Sequence, residues 1–287
     1  MFRFPDGRKG GGPVRLDSFS PPGMALSVSL GPNRNGRDLV VGDVHGHFAT
    51  LRRALAELEF GKGDRLFSLG DLIDRGPDSF EARTWIAGRD PSARFDLVVR
   101  GNHEQMMLEA LASSPLPPPG GLRSAGGAWG LWRMNGGGWW HERSPEDSAH
   151  AWMDLLKALP FSARVETRFG PVGLVHACPV FRSWRELEDG LEDAGPAGHL
   201  ARARALWSRI YYGRADPYIG ESGSEWQGAV EGVRAVLTGH TSLHAPLWRG
   251  NVLGIDTGIH YDRPEPGRLT IARIDTQEIE TFSFDRA

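Results

Sequence analysis

Apolar and polar positions along the chain fall into two regimes. From Asp38 to about Leu111, short apolar runs alternate with segments whose apolar residues recur at helical spacing. Asp38-Leu39-Val40-Val41, residues 65–69 and residues 95–100 read as buried strands. Leu51, Leu55 and Leu58 mark one helix, residues 79–87 a second, and Met106, Met107 and Leu111 a third. Asp43 and Asp71 are 28 positions apart and Asp71 and Asn102 are 31 apart, intervals that suit one strand–helix–strand crossover each. Right-handed crossovers set parallel strands side by side with their C-terminal loops on one edge. From residue 161 the pattern is mostly strands, over 161–168, 172–177, 234–237, 252–256, 269–274 and 279–284. A polar, helical insertion runs from Arg182 through Arg209. The expected class is mixed α/β: two packed mixed sheets flanked by helices, in one domain over residues 37–287.

Two stretches fall outside this pattern. Residues 1–36 are rich in Gly, Pro, Arg and Ser and read as a solvated, mildly basic tail with little core of its own. Residues 113–143 read as an irregular excursion containing Pro115-Leu116-Pro117-Pro118-Pro119-Gly120, Trp129, Trp132, Asn135-Gly136-Gly137-Gly138 and Trp139-Trp140. Excursions of that length are usually functional or flexible. Ser144-Pro145-Glu146-Asp147 then reads as a helix start, and Pro160 as the stop after about Ala158.

Composition narrows the field. With 40% hydrophobic and 24% charged residues the chain is an ordinary globular one, and its net charge of −3 provides no general attraction to nucleic acid or anionic membrane. One cysteine, Cys178, excludes an intramolecular disulfide framework. No apolar run approaches the ~20 residues that span a bilayer. Residues 1–7 lack the h-region of a signal peptide. A cytoplasmic protein without nucleic-acid or membrane partners is expected.

The candidate chemistry sits where strands end. Asp43 and His45 follow the first strand, Asp71, Asp74 and Arg75 the second, and Asn102 and His103 the third; His176 and His240 end later strands. Asp43, His45, Asp71, Asn102, His176 and His240 mix oxygen and imidazole donors without thiolate, which suits Mn, Fe or Zn in a reactive rather than a structural site. Asp43, His45 and Asp71 would hold one ion. Asp71, as a shared carboxylate, would hold the second with Asn102, His176 and His240. Two ions ~3.5–4 Å apart generate hydroxide near neutral pH and clamp an in-line displacement at phosphorus. Arg75 and Arg209 are suited to gripping phosphate oxygens. His103, with Asp74 orienting its ring, is suited to protonating the departing oxygen.

Gly42-Asp43-Val44-His45-Gly46, Gly70-Asp71-Leu72-Ile73-Asp74-Arg75-Gly76 and Gly101-Asn102-His103-Glu104 resemble the three signatures of the phosphoprotein phosphatases within the calcineurin-like metallophosphoesterases. Val175-His176-Ala177 and Gly239-His240-Thr241 are similar to the two later histidine motifs. The resemblance is to the bacteriophage lambda type, and it extends to Asn135-Gly136-Gly137-Gly138-Trp139, Trp207-Ser208-Arg209 and Ile255-Asp256-Thr257-Gly258. It covers about residues 38–275. It implies a calcineurin-like sandwich, two divalent ions with Mn²⁺ as the activating metal, Arg209 at the phosphate, and phosphoserine or phosphothreonine in proteins and peptides as substrate, with phosphotyrosine as a further ester. Attack would come directly from a dimetal-bound hydroxide, with no phosphoenzyme.

Gly76-Pro77-Asp78-Ser79 also resembles the symmetrical diadenosine tetraphosphate hydrolases, which stand as the alternative; Asp74 and Glu104 favour the protein phosphatase. A metal-dependent phosphopeptide-binding module without turnover is a third reading. His260 and Tyr261 are candidates for the site rim, Cys178 for a buried filler, and Trp139 and Trp140 for either a groove wall or core.

Overall fold

The computed structural model describes residues 25–88, 94–115, 126–140, 146–209, 228–262 and 265–287. Arg3, Arg8, Lys9 and Arg15 of the tail, most of the Pro-rich run, the Ser144-Pro145 helix start and much of the glycine-rich loop after Arg209 lie outside the described residues.

Two sheets are present. The five-stranded sheet has the order β11-β10-β2-β3-β4, from β2 (Asp38–Val41), β3 (Arg65–Ser68), β4 (Leu97–Val98), β10 (Arg268–Arg273) and β11 (Glu280–Asp285). As the crossover spacing requires, β2, β3 and β4 are parallel; β10 and β11 join antiparallel. The six-stranded sheet has the order β1-β5-β6-β7-β9-β8, from β1 (Ser27–Leu30), β5 (Ser162–Val165), β6 (Val172–Val175), β7 (Ala235–Thr238), β8 (Leu247–Arg249) and β9 (Val252–Gly254). Within it β6, β7 and β9 are parallel.

Side-chain alternation builds the layers. Val40, Phe67, Val172, Leu174, Leu237 and Leu253 meet between the sheets. Leu39, Val41, Leu66, Leu269 and Ile271 point the other way, onto α1 (Phe48–Glu57), α2 (Glu81–Ile86), α3 (Asn102–Ser113), α4 (Gly127–Met134) and α5 (Glu146–Lys157). Val175, Val236 and Val252 cover the outer face of the second sheet with α6 (Trp184–Glu192) and α7 (Pro196–Trp207). The result is the expected mixed α/β sandwich with helices on both outer faces. No described helix is long and apolar enough to cross a membrane.

Three local expectations change. Ser27–Leu30, inside the stretch read as tail, pairs in parallel with β5 as an edge strand. The third strand is shorter than residues 95–100, because Arg100 N–H turns away to the carbonyl of Pro160 and the Asp96 carboxylate accepts Leu66 N–H. The excursion is not irregular throughout: Gly127–Met134 is helical and Gly137–Trp139 forms a 3-10 turn. Trp129 and Trp132, three positions apart, bury one face of α4 in the helical core, and the surrounding glycines hide that spacing in the sequence.

Candidate active site

The loops after β2, β3, β4, β6 and β7, together with the end of α7, converge on one edge of the sandwich, and all ten residues singled out from the sequence lie there. Apart from Glu59, the described non-glycine residues with positive φ all belong to this cluster: His45 (43°), Asp71 (50°), Asp74 (72°), Arg75 (67°) and His240 (63°). Such conformations persist only where the surroundings over-determine them. One device is Glu104, in the first turn of α3. Its carboxylate accepts N–H from Gly101 (3.0 Å), Asp71 (2.8 Å) and Leu72 (2.8 Å), tying two loops together. Another is Gly101, where a Cβ would stand 2.3 Å from both the backbone nitrogen and Oδ1 of Asp71.

Asp71 faces both halves of the cluster. Its Oδ1 is 3.4 Å from His176 Nε2, and its Oδ2 is 3.8 Å from His45 Nε2 and 3.9 Å from His103 Nε2. Asn102 Oδ1 lies 2.9 Å from both His176 Nε2 and His240 Nδ1. Two groups have donor atoms within 4.8 Å of one another: His45, Asp71 and His103, and Asp71, His176 and His240. The second brings together three of the four residues expected at the second ion, and Asn102 lies against two of them. In the first, His103 stands beside His45 and Asp71, while Asp43 accepts His240 N–H and keeps its Oδ2 4.0 Å from His45 Nε2.

Backbone carbonyls select the tautomers. A carbonyl only accepts, so the nitrogen facing it carries the proton and the other nitrogen presents a lone pair. Ile73 O faces His45 Nδ1 (2.9 Å) and Leu69 O faces His176 Nδ1 (2.7 Å), leaving Nε2 as the donor atom of each. Trp207 O faces His240 Nε2 (3.0 Å), which leaves Nδ1. In each case the free lone pair points into the cluster. Burial lowers the pKa of all three imidazoles, so they are neutral near pH 7. Among the acids, burial and then Asp256 and Asp71 push Asp43 well above the usual carboxylate range. Burial would raise Asp71 too, but His176 and His103 outweigh it and hold it low. Neutral imidazoles and crowded buried carboxylates fit a pair of divalent cations.

Around this cluster, His103 Nδ1 lies 2.6 Å from Asp74 Oδ2. Arg75 Nη1 lies 3.1 Å from His45 Nε2, and Arg209 Nη1 donates to His240 O at 2.7 Å, so both arginines reach the cluster. His260, a rim candidate from its position alone, stacks edge-on to His45 at 4.5 Å and sits 3.0 Å from Arg75 Nη1. Burial and Arg75 lower its pKa to about 3. Tyr261 is exposed, and Cys178 and Trp140 are buried in the core.

Other residues outside the expected ligand and catalytic set also belong here. Asp256 is buried, accepts Ser242 O–H (2.7 Å) and Gly258 N–H (2.8 Å), and raises the pKa of Asp43. Its place in an Ile-Asp-Thr-Gly run after a strand was the available signal. Trp132 and Trp139 both donate to Asp74 from far along the chain, which no local pattern announces.

Comparison with known proteins places the chain in a family. The family described as calcineurin-like phosphoesterase matches residues 37–242. Serine/threonine-protein phosphatase 1 of Salmonella typhimurium is 34% identical over 240 residues, covering 82% of this chain and 90% of that protein. A symmetrical bis(5'-nucleosyl)-tetraphosphatase of Methylococcus capsulatus is 44% identical over 69 residues, 24% of each chain. Among solved structures, a serine/threonine phosphatase from Saccharomyces cerevisiae superposes with a TM-score of 0.57 at 14% identity, covering 95% of this chain and 87% of that one.

Proposed function

Because the chain belongs to the calcineurin-like phosphoesterases and is a hydrolase of phosphate esters, we propose that it is a metal-dependent serine/threonine protein phosphatase. The single observation that carries this reading is the His103–Asp74 pair, buried beside Asp71 with His103 Nε2 free of protein partners. A seryl or threonyl alkoxide is a poor leaving group, and an acid at that position matches its need for a proton. The similarity to a serine/threonine-protein phosphatase over most of both chains supports the same reading.

Asp43, His45, Asp71, Asn102, His176 and His240 would hold two divalent cations, with Mn²⁺ favoured and Fe or Zn also compatible with these donors. Such a pair supplies hydroxide near neutral pH and neutralises charge on the phosphoryl oxygens. Arg75 and Arg209 bind the remaining phosphate oxygens and orient the ester for in-line displacement. His103, protonated on both ring nitrogens, would deliver the Nε2 proton to the alkoxide as the P–O bond breaks and keep the Nδ1 proton, through which Asp74 holds the ring. Phosphorylated proteins or peptides are the proposed partners, with phosphotyrosine as an additional ester.

The second reading, a symmetrical dinucleoside polyphosphate hydrolase, is favoured by the higher local identity over 69 residues. Its leaving group is a nucleotide phosphate, which departs without an acid. Kinetics of the Mn²⁺-loaded chain on phosphoserine and phosphothreonine peptides and on diadenosine tetraphosphate separate the two. The phosphatase reading expects the higher kcat/KM on the peptides. A wide preference for the dinucleotide would overturn it, and binding of phosphopeptide without turnover of either would establish a binding module.

A further inference from the structure

We infer that Trp132 and Trp139 are positioning residues for hydrolysis: their indole N–H groups fix Asp74 and, through it, the ring of His103. This deepens the protein phosphatase reading and rests on the general-acid role of His103.

Asp74 is fully buried and stands at a positive φ of 72°. Its Oδ1 accepts from Trp139 Nε1 (2.6 Å) and Trp132 Nε1 (3.0 Å). Its Oδ2 accepts from Trp132 Nε1 (2.9 Å) and faces His103 Nδ1 (2.6 Å). An indole N–H only donates, so both tryptophans require Asp74 to act as an acceptor. His103 must then carry one proton on Nδ1, which leaves Nε2 as the nitrogen directed at Asp71 and the substrate and as the site of the second, transferable proton. Two indole donors, making three contacts on the two oxygens, also define the carboxylate plane without help from His103. The orientation of the histidine is therefore inherited from the tryptophans.

The segment that carries them is shaped for this contact. Trp132 belongs to α4 and Trp139 to the following 3-10 turn, and the rings meet edge-on at 5.9 Å. Between them Gly136 has a φ of 112°, and a Cβ there would stand 2.8 Å from Arg75 N and 3.2 Å from Asp74 Cβ. The backbone thus presses directly on two consecutive residues in left-handed conformation, Asp74 and Arg75. Trp139 is braced on its outer side by Phe80, edge-on at 4.7 Å. One excursion of the chain holds both the acid pair and the first phosphate arginine.

The test uses Trp139→Phe, Trp132→Phe and the double variant, which keep an aromatic ring and delete the N–H. In the Mn²⁺-loaded protein, Trp139→Phe should lower kcat on a phosphoserine peptide on the order of tenfold, a fraction of what a general acid contributes. KM should be held, and p-nitrophenyl phosphate turnover should fall far less. The double variant should approach Asp74→Asn. Independently, ¹⁵N-histidine NMR of the Zn²⁺-loaded protein should show the low-field Nδ1–H proton of His103 in the wild type and its shift or loss in Trp139→Phe. An unchanged resonance and unchanged kcat in folded Trp139→Phe would reduce the tryptophans to packing and overturn the inference. Should His103→Asn lower both substrates equally, the general-acid reading fails, and the resonance alone decides whether the tryptophans position the ring. Trp132 is fully buried; if Trp132→Phe does not fold, the partly exposed Trp139 decides the question.

Discussion

His103 Nδ1 stands 2.6 Å from Asp74 Oδ2, and the opposite ring nitrogen, buried without a hydrogen-bond partner, is 3.9 Å from Asp71 Oδ2. One edge of the ring is committed to orientation and the other is open to the reaction. His103→Asn should therefore discriminate by leaving group. Turnover of phosphoserine peptides should drop by roughly 10²–10⁴-fold, while p-nitrophenyl phosphate, whose phenolate needs no proton, should lose much less. Equal losses on both substrates in steady-state assays would assign His103 to metal or phosphate binding instead.

The carboxylates make a paired prediction. Asp71→Asn removes charge from the residue facing both donor groups, so metal per chain and kcat should fall together. Full occupancy with near wild-type kcat would show that Asp71 does not bridge. Asp43→Asn should also lose metal, yet in chelator-treated protein it should raise Tm, because burial, Asp256 and Asp71 all oppose its charge when no cation is bound. The check is a pair of melting curves with and without chelator. An Asp43→Asn protein that melts lower under chelation would mean the repulsion is relieved in some other way.

For the arginines, charge-assisted contacts that tighten as charge develops on phosphorus should be visible in kcat as well as KM. Arg75→Ala and Arg209→Ala are each expected to lose on the order of 10²-fold in kcat/KM, with weaker inhibition by inorganic phosphate in parallel. Unchanged kinetics for Arg209→Ala would take that residue out of phosphate binding and leave it bonding the His240 carbonyl.

Away from the cations, Glu109 tests the electrostatics of the helical layer. Burial pushes its carboxyl up to about 7, although Gln105 Nε2 donates to it at 3.0 Å. Between about pH 4.5 and 7 the unfolded chain releases this proton while the folded chain keeps it. The folded state then binds more protons, so stability falls as pH rises through that window. Above it, the buried charge costs the fold up to about 3 kcal/mol. Glu109→Gln keeps the acceptor for Gln105 and should raise Tm at pH 8 but not at pH 4.5. Equal melting temperatures at pH 8 would show that the carboxylate is hydrated there.

The sequence by itself determined much of this protein, because the decisive signals were local and periodic. Short apolar runs such as Asp38-Leu39-Val40-Val41 specified buried strands, and intervals of 28 and 31 positions specified parallel crossovers. Chain geometry then obliged Asp43, Asp71 and Asn102 to share an edge, and motif spacing was enough to name all ten clustered residues. What only the tertiary structure decided depends on contacts between segments remote in sequence. Trp132 and Trp139 lie 58 and 65 positions from the Asp74 they hold, and α4 was hidden because two tryptophans, rather than an extended apolar stripe, bury its inner face. Ser27–Leu30 is a strand only because β5 offers it a free edge. The tie between Asp43 and His240 is likewise a contact across 197 positions, through the hydrogen bond from His240 N–H to the Asp43 carboxylate. Periodicity reports which face of an element is buried; it carries no record of which distant donor will reach a given carboxylate.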